Sequence, residues 1–226
     1  MRVLAGIELD HVHGAIRGVT LESETEVTLD PLLPEERRVA EGMLPRRRAS
    51  FVAGRVALHR ALEAVGAPCE PVLFDERGEP VVPRGFSGSI SHKLKDVVAI
   101  ARAGEAKVGI DIEHRLPMRS RIAEKVLRPM EMSKLSEEPT RRWLEIVVRF
   151  SIKESVYKAI HPFVRRYVEF QEAEVALGGL SEGLLHEYGE FAEAQVQLDE
   201  RLSPMKVSAT WHLGELILST ALATRS

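Results

Sequence analysis

Across Val108-Gly109-Ile110-Asp111-Ile112-Glu113, apolar and polar residues alternate with period two, the pattern of a strand with one apolar face. Asp111 and Glu113 therefore share one side of the strand while Ile110 and Ile112 enter the core. Two carboxylates so placed are either solvated on an edge strand or held together by a cation between them. Val3 to Leu9 reads as an earlier strand. Asp30-Pro31-Leu32-Leu33-Pro34-Glu35-Glu36 starts a helix, with prolines at its entry and acids where the macrodipole favours them. After a break at Gly42 to Pro45, Phe51, Leu58, Leu62 and Val65 recur at helical spacing, and Gly66 closes that pattern.

Pro68 to Gly88 is rich in turn residues around a short strand at Val72 to Phe74. Gly88-Ser89-Ile90-Ser91-His92 follows, then a buried-type strand at Val97 to Ala101. Beyond Glu113 the pattern turns helical, over Met118 to Arg128, from Glu131 to Leu135, and most strongly over Arg141 to Ile160, where His161-Pro162 ends it. Strands separated by Gly178-Gly179, Gly189 and Ser203-Pro204 fill Tyr167 to Ala223. Ala103-Gly104-Glu105-Ala106 is the expected hinge between an N-terminal half, 1–103, and a C-terminal half, 104–226. Each half runs from strand to helix to further strands, an order compatible with a duplicated α+β unit.

Composition narrows the classes. The 226 residues are 44% hydrophobic and 29% charged, ordinary for a globular protein. A formal net charge of −3 speaks against a general nucleic-acid binder. Cys69 stands alone, which predicts a reducing, cytoplasmic setting, and no apolar run approaches the roughly 18 residues that predict a membrane span.

The chemistry lies in a few clusters. Arg48, Arg55 and His59 fall along one helical face, either solvated or turned to a phosphate-rich ligand. His92 ends a short strand beside serines, where it caps a turn or meets a phosphate. In Phe150-Ser151-Ile152-Lys153-Glu154-Ser155-Val156-Tyr157-Lys158, Glu154 and Lys158 share a helix face. They form an ordinary surface pair, or else Glu154 joins Asp111 and Glu113 as a third hard-oxygen ligand suited to Mg²⁺, with lysines beside it to neutralise phosphate oxygens.

Gly-Ile-Asp-Ile-Glu at 109–113 and Phe-Ser-Ile-Lys-Glu-Ser-Val-Tyr-Lys at 150–158 resemble the two signatures of the 4′-phosphopantetheinyl transferases. The Arg-rich run into Phe51-Val52-Ala53-Gly54-Arg55, Gly78-Glu79-Pro80 and Gly88-Ser89-Ile90-Ser91-His92 extend the likeness to the two-half surfactin/enterobactin type, over about residues 35 to 175. The resemblance implies an α+β fold of two similar, pseudo-twofold halves with the active site in the cleft between them, and a monomer. It implies transfer of the phosphopantetheine arm of coenzyme A to a serine of an apo acyl, peptidyl or aryl carrier protein, releasing 3′,5′-ADP. In that scheme Asp111, Glu113 and Glu154 hold Mg²⁺, and Lys158 contacts the phosphate under attack. Lys153 helps hold the phosphates, Ser91 and His92 bind coenzyme A phosphates, and Arg48 and Arg55 take the 3′-phosphate region. A water or Glu154 accepts the serine proton.

The chain departs from the family pattern at Ser50, where an acid is usual, at Glu79, where some relatives carry lysine, and at Lys93-Leu94-Lys95-Asp96 after His92. Arg119, Arg121 and Arg128 are candidates for docking an acidic carrier. Two other functions compete: a Mg²⁺-dependent pyrophosphate hydrolase needing no carrier, and a non-catalytic coenzyme A or carrier-protein binding module. The presence of all three carboxylates and Lys158 speaks against the second.

Overall fold

Alanines at 49, 53, 57 and 61 give helix α2 (Pro45–Ala64) a thin buried stripe at i, i+4 spacing, which lets the helix lie close against a sheet. (α1 is Pro34–Glu41.) The structure, a computed structural model, describes residues 7–23, 25–115, 122–177 and 190–225. It forms two compact units, Met1–Val108 and Gly109–Ser226.

In the first unit, strands β1 (Glu8–His11), β2 (Gly14–Thr20), β5 (Phe86–Lys93) and β6 (Asp96–Ala103) make an antiparallel sheet in the order β1-β2-β6-β5. Val97, Ala99 and Ala101 of β6 meet the alanine stripe together with Leu58 and Leu62. Helix α2 ends as Gly66 predicts. That residue takes φ +76°, Gly66 N donates to Glu63 O at 3.0 Å, and Ala67 N donates to Leu62 O at 2.9 Å, satisfying two terminal carbonyls. A small hairpin, β3 (Leu73–Phe74) with β4 (Pro80–Val81), fills the proline-rich stretch. The β1–β2 hairpin was not anticipated: the strand read over Val3 to Leu9 lies mostly outside the described residues, and the pairing turns on His11↔Gly14.

Strand β7 (Lys107–His114) runs into the second unit at Gly109 and joins β8 (Ala173–Leu177), β9 (Ala192–Leu198), β10 (Met205–Leu213) and β11 (Leu216–Arg225) in the order β7-β11-β10-β9-β8. Two short helices, α3 (Ile122–Val126) and α4 (Pro129–Ser133), precede the 26-residue α5 (Pro139–Val164). Val148, Ile152, Val156 and Ile160 of α5 bury against Trp211, Leu213 and Ile217. Within this apolar layer the Ser151 and Ser219 hydroxyls satisfy each other at 2.8 Å.

Helix α5 outruns its predicted end: His161-Pro162 does not stop it, and it closes at Arg165, in the left-handed conformation at φ 49°. Proline in the last turn removes one backbone donor, yet Arg165 N still reaches His161 O at 2.8 Å, so the turn closes around it. The predicted helix over Met118 to Arg128 is described only from Ile122, and the breaks at Gly178-Gly179 and Gly189 fall outside the described residues. No helix among the described residues is long and apolar enough to cross a membrane.

Candidate active site

Gly109 decides where the site forms. A Cβ built on it falls 1.9 Å from Ser155 O and 2.8 Å from Ala159 N, so only a residue without a side chain lets α5 rest on β7 here. Because α5 comes that close, Lys158 Nζ donates to Ile110 O at 2.8 Å and to Asp111 Oδ1 at 2.9 Å. The two stretches that stood about forty residues apart in sequence are thus joined within the second unit by a charge-assisted hydrogen bond.

Asp111 and Glu113 are 5% and 6% exposed, so the solvated edge-strand reading is set aside. Although β7 lies at one end of its sheet, both its faces are covered from Val108 to Glu113. Burying carboxylates without a cationic partner is costly, and Lys158 supplies one for Asp111. Glu154 stands one turn before Lys158 on α5, half-buried. Among the described residues, no three His, Cys, Asp or Glu side chains are arranged to hold one metal ion. The expected trio of Asp111, Glu113 and Glu154 is therefore not preassembled. Three carboxylates at one point repel, and Asp111 turns to the Lys158 ammonium instead. What remains is a pair of hard oxygen donors on one side of a strand, a set that fits Mg²⁺, which uses one or two carboxylates with waters and phosphates.

Three other predicted contacts point inward. Lys153, expected at the phosphates, has a side chain 1% exposed; its ammonium donates to Glu131 Oε2 at 2.6 Å and to Val126 O at 2.8 Å. Committed to two acceptors in the interior, it has no face for a substrate phosphate. Arg55 lies over the Phe51 ring at 4.4 Å and donates to Val72 O and Leu73 O. Burial lowers its pKa to about 10, against a smaller opposing effect from Glu36. Like Lys153, it braces the fold rather than facing a ligand. Ser91 is buried while the next residue, His92, is exposed, because successive side chains of β5 point to opposite faces. Only the imidazole of that pair is directed outward. Arg48 is half-buried, its guanidinium donating to Ala40 O, Glu41 O and Met43 O at the end of α1. Of the docking candidates, Arg119 and Arg121 lie outside the described residues, and Arg128 donates to Gln171 O at 2.6 Å and sits 3.7 Å from Glu174.

Sequence reasoning passed over two buried acids that organise these inward groups. Glu36 accepts Leu33 N, Val72 N and the His59 imidazole at 3.1, 2.8 and 2.7 Å; Glu131 accepts Arg128 N, Val175 N and Lys153 at 2.6, 2.7 and 2.6 Å. The available signal was Pro-x-Glu at both helix starts, which sets a carboxylate at N3, where it reaches back to the cap. In each unit an arginine one turn earlier on the long helix, Arg55 or Arg149, donates to the carbonyl of the same valine. The repetition of acid, valine, arginine and second base gives the suspected duplication physical content.

Burial tends to raise the Glu36 pKa, but bonds from His59, Val72 and Leu33 outweigh it and hold the carboxyl below the ordinary value for a glutamate. A lowered folded value means the unfolded chain binds more protons as pH drops. The stabilisation from Glu36 is thus complete above the ordinary carboxylate value and is lost as pH falls below it. Glu36→Gln should flatten the acid limb of a thermal-midpoint profile against pH; an unchanged limb would mean that other carboxylates set it.

Residues 35–102 match the family model described as 4′-phosphopantetheinyl transferase N-terminal domain, and residues 107–214 match the 4′-phosphopantetheinyl transferase superfamily. The chain is 35% identical to 4′-phosphopantetheinyl transferase Svp of Streptomyces mobaraensis, over 70% of this chain and 68% of that protein. The chain belongs to the 4′-phosphopantetheinyl transferases. It is also 29% identical to 4′-phosphopantetheinyl transferase PptT of Mycobacterium tuberculosis, over 63% of this chain and 64% of that one. Enterobactin synthase component D of Escherichia coli is 26% identical over 70% of this chain and 75% of its own length. As a 4′-phosphopantetheinyl transferase of this two-domain type, the protein is an enzyme that modifies carrier proteins.

Proposed function

We propose that this transferase moves the 4′-phosphopantetheine arm of coenzyme A onto a serine of an apo acyl, peptidyl or aryl carrier protein with the help of Mg²⁺, releasing 3′,5′-ADP. The observation that carries this reading is the Lys158 ammonium at Asp111, which unites the acidic strand and the basic helix at one point. Asp111 and Glu113 would hold the metal, which when bound supplies positive charge to the pyrophosphate oxygens.

Lys158 lies between a carboxylate and a backbone carbonyl, so it can turn from Asp111 to a phosphate oxygen while the Ile110 carbonyl still accepts from it. There it offsets the charge on the phosphorus under attack. Glu154, on the same helix face, takes the serine proton as the serine oxygen bonds to phosphorus and the phosphorus–oxygen bond to 3′,5′-ADP breaks. His92 and Arg48 are the remaining candidates for the coenzyme A phosphates. His92 is exposed at the end of β5, and Arg48 has a partly exposed side chain with a planar fork that matches phosphate geometry.

Intact-mass spectrometry of an apo carrier protein, incubated with this protein, coenzyme A and Mg²⁺ or with a chelator, tests the proposal. The expected result is a metal-dependent gain of one phosphopantetheine arm. Loss of coenzyme A without carrier modification would identify a hydrolase. Bound but unchanged coenzyme A across several carrier types would identify a binding module.

A further inference from the structure

A buried ion pair, Glu131–Lys153, ties α5 into the second unit. Glu131 draws three segments together: its carboxylate accepts Arg128 N at the start of α4, Val175 N in β8 and the Lys153 ammonium from α5. Lys153 also donates to Val126 O, a terminal carbonyl of α3. One turn earlier, Arg149 donates to Val175 O at 3.3 Å, tying the same helix face to the same strand. Successive helix residues turn about 100°, so Lys153 projects from the flank of α5 opposite Ser155, which meets Gly109. The helix is thus tied on one side to α3, α4 and β8 and seated on the other side on β7. Its rotation and axial position set where Glu154 and Lys158 lie against Asp111.

We infer that Glu131 and Lys153 are positioning residues for the transfer reaction: their buried ion pair fixes α5 so that Lys158 and Glu154 face the acidic strand. The inference rests on the proposed reaction. The first unit helps define the role. Glu36 and His59 form the same kind of tie there, with Val72 and Arg55, but α2 carries Arg60 and Ala64 one and five residues after His59, where α5 carries Glu154 and Lys158 after Lys153. The tie belongs to the fold of both units, and in the second it also sets the catalytic helix.

The test compares wild type with Lys153→Met and with the double variant Lys153→Met/Glu131→Gln, measuring kcat per folded molecule, KM for coenzyme A and thermal midpoint. Removing one member of a buried pair strands the other charge, whereas neutralising both is tolerated far better. The double variant should therefore recover the midpoint that the single variant loses, and it keeps the question answerable if Lys153→Met does not fold.

The expected result is a kcat lowered about 10- to 100-fold in both variants, with KM for coenzyme A within about twofold of wild type. A raised KM with normal kcat would make Lys153 a phosphate ligand and overturn the inference. So would a kcat that returns with the midpoint in the double variant, or that never falls, since the pair would then serve stability alone. Wild-type protein that transfers nothing would instead defeat the proposed reaction, a separate outcome read in the same assay.

Discussion

Asp111→Asn is expected to lower carrier modification by on the order of 100-fold or more while the protein stays folded. The substitution keeps the shape of the side chain and removes the charge that pairs with Lys158 and that the proposed Mg²⁺ site would use. Apolar neighbours Ile110 and Ile112, less than 2% exposed, keep β7 in its core whichever residue stands at 111. Raising Mg²⁺ should restore part of the lost rate, because a weakened site fills at higher metal concentration. Turnover at wild-type level, measured by intact mass under saturating coenzyme A, would remove Asp111 from the reaction. Loss of the folded state would show instead that the Lys158–Asp111 bond is needed for packing.

Gly109→Ala should do greater harm to the fold. The added methyl meets the Ser155 carbonyl oxygen at 1.9 Å and the Ala159 nitrogen at 2.8 Å, and both atoms belong to a helix backbone that cannot turn aside as a side chain does. Helix α5 must lift from β7 or the strand must bend. Overpacking typically costs about 1–3 kcal/mol, and a contact with rigid backbone belongs at or above the upper end. A lowered thermal midpoint should accompany a loss of kcat, because lifting α5 draws Lys158 away from Asp111 and Ile110. If the midpoint and rate are both preserved, the close approach of helix and strand is not what assembles the site. Gly109→Ala and Asp111→Asn lie two residues apart on one strand yet separate two effects, packing in the first and charge in the second.

The positioning pair connects these results. Gly109 admits the helix on one flank and Glu131–Lys153 tie it on the other, so a substitution on either side should reach Lys158 without touching it. Variants of Gly109 and Lys153 should therefore show non-additive effects on kcat, as expected of residues acting through one element.

Much of this was legible along the chain. The period-two pattern at 108–113 placed Asp111 and Glu113 on one side of a strand, and the i, i+4 spacing put Glu154 and Lys158 on one helix face, because side-chain direction follows from local backbone geometry alone. Gly66 announced its cap, since a left-handed residue after a helix favours glycine. Both stretches carried a family likeness that the comparisons bear out. Local pattern could not tell which basic residues face outward. Arg55 and Lys153 looked like phosphate ligands because basic residues near a signature motif are what such a ligand requires. The structure spends them on Val72 and Glu131, partners 17 and 22 residues away in the chain. Ser91 and His92 stood together in the motif and are parted by the pleat of β5, whose buried side only the surrounding packing decides.

By itself the sequence determined the kind of elements, the identity of the acids and bases, and the family. These depend on side-chain chemistry and short-range periodicity, which neighbours in the chain already contain. The tertiary structure alone decided that Lys158 meets Asp111, that Gly109 is the point where helix and strand touch, and that two buried carboxylates recruit the other bases. Those outcomes depend on which distant segments share a desolvated interior, where a charge settles only beside a partner able to replace its lost water.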